Sequence, residues 1–552
     1  MSGGWAAKDF CEAGVKTLVL ERGRHVEHGE DYIGENKDPW NMKFRDKVDQ
    51  KLADDRYPRQ KRCYAFKDST KHFFVDDIEH PYSTEKVNNF EWIRGNQLGG
   101  RSLLWHRQSY RWSDMDFSSN ARDGYGTDWP VRYKDMKPWY DYVEEFVGVS
   151  GTLEGMEQLP DGIFLPPIGF NCAEEEFGRR IGNTYNDRRL IPGRCAHLTE
   201  PKPIHTDLGR GTCQSRNQCQ RGCSLGAYFS SQSATLPAAK RTGNLTIITD
   251  SIVDSIIYDP KNKKARGVRV IDSRTNITTT YNAKVIFLCA STLGTTQILL
   301  NSKSEHFKTG FANRSDAVGR YLMDHLALTG ARGELDAFQD KYYIGRKPNG
   351  IYIPRFTNLK HDEEDFVRGF AYQGGSRRKG WDDRLDEKGF GAKFKESFKT
   401  PGTWVIDLEG YGEMLPMANN RVTLHKTKKD KWGMPQLHIN AKFGENDKKI
   451  RKKMRETAVE IMEKAGLKNI TTYNTEDSLG LSIHEMGTAR MGNDPNEAVV
   501  NGYNQCHDAK NVFITDGAAM ASSACQNPSL TYMAFTARAV DYAVKNMKLG
   551  KL

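Results

Sequence analysis

Two side chains near the C-terminal end are placed for chemistry. His484 stands in Leu481–Gly492, LSIHEMGTARMG, and Asn527 in Asn511–Ala539, NVFITDGAAMASSACQNPSLTYMAFTARA. Between them a short β-type run, Asn511–Thr515, ends at Asp516-Gly517. Asn527 precedes Pro528 and a helical pattern that starts at Ser529. Proline is tolerated in a first helical turn, where its missing N–H has no partner to lose. Asn527 is therefore expected at a helix N-terminus, which carries partial positive charge and free N–H groups suited to a developing anion or an electron-rich ring edge. A second set is Cys213, Cys219 and Cys223, three thiols within eleven residues. The odd number argues against disulfides, since the other seven cysteines are scattered. The set fits a three-iron cluster, because thiolates are the general iron–sulfur ligands. Zinc, with His205 as the one nearby fourth ligand, and unligated thiols remain the alternatives.

Other elements must position these residues. At the N-terminus, residues 5–13 read as a helix ended by Gly14, and Thr17–Leu20 as a buried strand closing on Glu21-Arg22. This is the second half of a dinucleotide-binding βαβ unit, whose strand-end acid bonds ribose hydroxyls. Gly3 or Gly4 fits the third glycine of GxGxxG, with Met1 inside the loop, and the first strand is missing from the pattern. Gly99-Gly100, followed by Ser102, permits close backbone approach or makes an ordinary turn. From Asn244, alternating β-branched residues predict hairpin-linked strands that include Val253. Residues 283–294 predict a buried strand, a small-residue turn and a helix over 295–300. Further strands are expected near Gly350 and over 403–408, with a helix over 447–465. Residues 25–90 show little periodicity and are expected as loops. Trp129, Trp139, Tyr140 and Tyr142 suit a core or a sugar-stacking surface.

The joined pattern of HEMGTARMG and DGAAMASSACQNPSLTYMAFTARA resembles the C-terminal signature of the glucose–methanol–choline (GMC) oxidoreductases. The resemblance implies an α/β (α+β overall) architecture: a Rossmann-like FAD-binding domain and an antiparallel-sheet substrate-binding domain. It assigns residues 1–112, 206–325 and 476–552 to the first and 113–205 and 326–475 to the second. His484 and Asn527 become the catalytic pair. Gly3, Gly4, Glu21, Arg22, Gly99, Gly100, Ser102, Val253, Asp516, Gly517, Asn527 and Pro528 become the flavin contacts. Leu104 occupies the position where pyranose-oxidase-like relatives carry a flavin-linked histidine, so non-covalent FAD is expected. The cysteine triplet resembles the 3Fe–4S segment of bacterial FAD-dependent glucose and glucoside dehydrogenases, and Cys213, Cys219 and Cys223 become its ligands. That likeness implies oxidation of a secondary ring hydroxyl of a pyranose or glucoside at C-3. It also implies a small subunit bearing the export signal, a cytochrome c-type acceptor and a periplasmic location; without such a partner the expectation is cytoplasmic. An oxygen-using GMC oxidase and a truncated non-catalytic remnant are the rival readings.

Composition narrows the remaining classes. The 552 residues carry 81 basic and 71 acidic side chains, net +10, and no known nucleic-acid motif accompanies the excess. The densest basic run, Lys448–Lys453, reads as the outer face of a helix; an acidic protein partner is compatible with it. No apolar stretch reaches the ~20 residues needed to span a bilayer.

Overall fold

The computed structural model describes all residues except 344, 346–348, 361–363, 381–382, 384–387 and 477–478. The first helix spans Ser2–Glu12, three residues earlier than the sequence suggests, and Gly14 leaves it at φ +81°. Both Gly3 and Gly4 lie inside this helix rather than in a loop. Gly4 is the close-packing glycine: a Cβ there would lie 2.4 Å from Thr235 Oγ1 and 2.7 Å from Ser231 Oγ. Thr17–Leu20 is a strand as expected and pairs in parallel with Leu245–Ile248. Ile286–Leu288 pairs in parallel with Val512–Ile514. Where a single Rossmann sheet is expected, there are two separate parallel pairs, with the first helix packed against both. A three-stranded antiparallel sheet, Ser251–Asp259, Lys264–Asp272 and Thr278–Asn282, flanks them, and Val253 stands opposite Val270 within it.

The larger sheet has seven strands. In order they are Lys468–Asn474, Thr329–Leu335, Trp404–Glu413, Phe370–Arg378, Ile351–Ile353 and Ile191–Pro192, with His325–Leu326 also pairing to Trp404–Glu413. Every pairing is antiparallel. Side chains alternate between faces along a strand, and the register decides what meets. Even-numbered residues of Trp404–Glu413 face the helix Glu445–Lys464. A Cβ on Gly410 would lie 2.5 Å from Met454 Sδ, and one on Gly412 would lie 2.8 Å from Ile450 Cγ2. Tyr372 Oη donates to the Met454 carbonyl on the same side at 2.6 Å. Gln373, opposite Glu409, and Ala371, opposite Tyr411, point the other way. The sheet thus presents Gln373, Glu409 and Tyr411 toward the C-terminal motif.

Several expectations need correction. Residues 25–90 include short helical turns and the helix Gln50–Arg56, which Asp49 caps by accepting from Leu52 N. The helix 292–301 begins three residues before the predicted start. In the Lys448–Lys453 run, Arg451 turns inward and donates to the Ala327 carbonyl at 2.7 Å and to Asn474 Oδ1 at 2.7 Å. Trp129 and Tyr140 take the core role, one of their two expected places: Trp129 stacks on Phe535 with centroids 5.7 Å apart, and Tyr140 meets Thr531 at 2.8 Å. Both brace the C-terminal helix Ser529–Lys548. Among the described residues, no helix is long and apolar enough to cross a membrane.

Candidate active site

Pro528 is the residue that caps the helix Ser529–Lys548, one position before its expected place in the first turn. Its proline ring and the buried segment 517–527 carry Asn527 to the helix entrance. That segment is tied from several sides. Trp112 Nε1 donates to the Gln526 carbonyl at 3.3 Å, Trp129 Nε1 to Ser522 Oγ at 2.9 Å, and Asn120 Nδ2 to the Ala521 carbonyl at 3.0 Å. At its start, Asp516 accepts from Ala518 N at 3.0 Å and from Thr295 Oγ1. Asp516 and Gly517 therefore act as a turn joining the strand Val512–Ile514 to the 484–489 segment, to which Gly487 N adds a bond to the Gly517 carbonyl at 2.9 Å.

His484 and Asn527 meet as the sequence predicts. Asn527 Nδ2 lies 3.4 Å from His484 Nε2, and Asn527 Oδ1 accepts from Gln373 Nε2 at 2.6 Å. On its other side, His484 Nδ1 lies 2.9 Å from His325 Nδ1, the two rings meeting edge to face. The His484 backbone N–H donates to Asp324 Oδ1 at 3.0 Å, and Gly480 N to Asp324 Oδ2 at 2.8 Å; Ser482 Oγ also donates to Asp324. The neighbouring Glu485 is held by two bonds from Arg101, at 3.1 and 2.7 Å. Burial, then His325 and Arg101, hold the His484 imidazole far below its ordinary pKa. It is neutral at pH 7 and able to accept a proton. Burial pushes His325 down to about 4. Burial and Glu485 outweigh the three donors on Asp324 and raise it to about 6.

The residues expected at the nucleotide occupy one neighbourhood. Glu21 follows its strand, accepts from Gly23 N at 2.8 Å, and is raised to about 7 mainly by burial. Arg22 turns away, toward Asp430 at 3.4 Å and the face of Trp432. The Glu21 carbonyl accepts from Ser251 N at 2.8 Å, which places Val253 two residues beyond that contact. Gly99 and Gly100 both have positive φ, +91° and +50°. A Cβ on Gly100 would meet nothing within 4 Å, so its backbone fronts open space. Ser102 Oγ donates to the Gly99 carbonyl at 2.6 Å and accepts from Ser231 N at 3.0 Å, so it braces the turn. Leu104 is buried and offers no nucleophile. Open backbone at Gly100, the strand-end acid Glu21 and a neutral base at His484 together fit a flavin cofactor.

The cysteines fit their expected group less well. Cys213, Cys219 and Cys223 share one apolar cluster with Ala227 and Tyr228. Cys213 Sγ lies 3.7 Å from His197 Nδ1, and Arg216 reaches Cys223 Sγ at 3.8 Å. Among the described residues, no group of three His, Cys, Asp or Glu side chains is arranged to hold a metal ion. His205, the candidate zinc ligand, is committed elsewhere: Nδ1 accepts from Lys202 N at 2.9 Å, and Nε2 lies 2.8 Å from the Glu145 carbonyl.

Sequence reasoning missed Arg101, Asp324, His325 and Gln373 as parts of the site. Nothing local in the sequence ties His325 to a residue 159 positions away.

Known proteins are similar to this chain in sequence and in fold. Two family models described as GMC oxidoreductase match residues 179–327 and 416–536. The fructose dehydrogenase large subunit of Gluconobacter japonicus is 27% identical over 82% of this chain and 81% of its own length. A 2-methyl-1,2-propanediol dehydrogenase of Mycolicibacterium austroafricanum is 28% identical over 81% and 80%. The crystal structure of pyridoxine 4-oxidase from Mesorbium loti superposes with a TM-score of 0.60 at 16% identity, covering 98% of this chain and 97% of that one, and shows the shared fold.

Proposed function

The chain belongs to the GMC oxidoreductase family, FAD-dependent enzymes that act on CH–OH donors, and on that premise we propose that it is a sugar dehydrogenase oxidising a secondary ring hydroxyl of a pyranose or glucoside, at C-3. The observation that carries the reading is the neutral His484 imidazole facing Asn527 at the mouth of a helix. Bound FAD would supply the acceptor for the hydride that leaves the carbinol carbon. His484 Nε2 takes the hydroxyl proton, so the C–O bond becomes a carbonyl with no charge left on oxygen. Asn527 Nδ2 donates toward the same oxygen and fixes its direction. Gln373 holds the Asn527 amide from behind at 2.6 Å. Glu21 and the Gly99-Gly100 backbone would hold the nucleotide and ring of non-covalent FAD, with Leu104 leaving no covalent link.

The acceptor part of the reading is a cytochrome c-type carrier reached through a 3Fe–4S cluster on Cys213, Cys219 and Cys223, with a small subunit that carries the export signal to the periplasm. It is supported by the cysteine spacing, the shared cluster around Tyr228 and the similarity to a protein named as a large subunit. The thiols are not gathered at ligating distance, so no electron step is routed through them.

The test is a stopped-flow and metal analysis of the purified protein. Methyl glucoside should bleach the flavin anaerobically, and ferricyanide should restore it faster than oxygen does. Rapid reoxidation by oxygen with no iron present would favour an oxidase, and no bleaching by any sugar or polyol would end the sugar-oxidising reading. About three irons per chain, lost in Cys219→Ser, would support the cluster.

A further inference from the structure

His325 and Gln373 touch neither the reacting oxygen nor each other, yet they bracket His484. Four polar groups form one line: Gln373 Nε2 to Asn527 Oδ1 at 2.6 Å, Asn527 Nδ2 to His484 Nε2 at 3.4 Å, and His484 Nδ1 to His325 Nδ1 at 2.9 Å. His325 Nε2 has no hydrogen-bond partner, and the backbone of Ser523 and Ala524 lies beside the ring. Each link needs one donor and one acceptor.

The proton count closes in one way. Gln373 donates to the Asn527 carbonyl oxygen, so the Asn527 NH2 group is turned toward His484. An N–H facing Nε2 requires a lone pair there, so the neutral His484 ring carries its proton on Nδ1. That proton points at His325 Nδ1 across 2.9 Å, which must then be an acceptor. His325 in turn carries its own proton on Nε2. The opposite assignment would point the His484 Nε2 proton at the Asn527 NH2 group. The Gln373 end of the line sets this arrangement, and the His325 end is compatible with it.

We propose that His325 and Gln373 are positioning residues that hold His484 in its Nδ1–H tautomer and so leave Nε2 free to act as the base. This rests on the reading of His484 as the base, and it adds the reason the imidazole presents the correct nitrogen. After His484 takes a proton on Nε2, its Nδ1–H remains directed at the His325 lone pair, so the ring keeps its orientation. The charged and titratable groups around the ring are Arg101, Glu485, Asp324, Tyr411 and His325 itself; none besides His325 contacts Nδ1.

The test reads the tautomer directly. Nitrogen NMR of the FAD-loaded protein with labelled histidine, assigned by loss of the signal in His484→Ala, should show His484 protonated on Nδ1 and bare on Nε2 at neutral pH. His325→Asn keeps an acceptor oxygen near the Nδ1 position and should keep the tautomer and most of the rate. His325→Leu should populate both tautomers and lower kcat about 10²-fold with KM little changed. Gln373→Glu should turn the Asn527 amide, direct its oxygen at Nε2 and drive His484 to the Nε2–H form. A wild-type ring protonated on Nε2 would overturn the proposal, as would a His325→Leu protein with unchanged tautomer. If His325→Leu does not fold, the wild-type, His325→Asn and Gln373→Glu spectra still decide. The spectra need no substrate, so a failure of the sugar-oxidation reading would be seen separately.

Discussion

Replacing Arg101 by leucine tests whether the segment around His484 is built on charge. Arg101 holds Glu485 through two bonds at 3.1 and 2.7 Å; the Glu485 side chain is 1% exposed and that of Arg101 30%. Removing one partner of a buried ion pair costs about 3–5 kcal/mol, because the other charge is left uncompensated. Arg101 has an edge in solvent, so the low end, about 3 kcal/mol, applies. For 552 residues at about 2.1 cal/mol/K of unfolding entropy each, melting as one unit, that corresponds to a fall in Tm of about 3 °C. The same change acts on chemistry. Arg101 is among the causes that depress the His484 pKa, after burial and His325. The base works when neutral, so activity falls as pH drops through that pKa. Losing the cation raises the pKa, and the acid limb of kcat/KM should move to higher pH. Arg101→Lys keeps the charge without the two-pronged grip; it should leave the limb in place and lower Tm by less. Calorimetry and a pH–rate profile, each normalised to bound flavin, supply the readouts. An Arg101→Leu limb that stays put or moves to lower pH would refute the electrostatic account, and so would leucine and lysine variants that behave alike.

Other expected outcomes follow from the same contacts. His484→Asn should lower kcat about 10²–10⁴-fold with an unchanged melting curve, read by anaerobic flavin bleaching. Asp324, raised to about 6 in the fold, binds its proton more tightly folded than unfolded; its contribution to stability is present at low pH and lost as pH rises through about 6. Asp324→Asn should therefore gain on the wild type by about 2–3 kcal/mol between pH 4 and pH 8, measured by urea unfolding across that range. Arg368 is fully buried and bonds Asp123, Glu413, Asn120 and Ser119; Arg368→Met should cost about 3–5 kcal/mol by stranding two carboxylates, checked by thermal melting. Gly4→Val should overpack the first helix against Ser231 and Thr235, at about 1–3 kcal/mol, with weaker flavin retention on a desalting column.

The amino-acid sequence by itself determined what local chemistry can determine. The strand Thr17–Leu20 with Glu21 behind it, the run of β-branched residues after Asn244, the long helix near 445–464 and the Asn527-Pro528 helix entrance all follow from short-range pattern, because hydrophobic period and proline geometry act over a few residues. His484 and Asn527 were legible as a pair because their surrounding motifs are themselves distinctive. The sequence could not say that Arg451 turns inward, that Trp129 and Tyr140 brace a helix, or that the three cysteines form no metal-holding group among the described residues. Only the tertiary structure decided the rest of the site. Gln373 reaches Asn527 because antiparallel register sets it opposite Glu409, on the face away from the helix Glu445–Lys464. A shift of one residue would have turned it to the other side. His325 meets His484 because Asp324, the residue before it, accepts from Ser482 Oγ and His484 N, while His325 N donates to Ser482 Oγ. Such contacts depend on how separate segments pack, and a linear pattern carries no record of that.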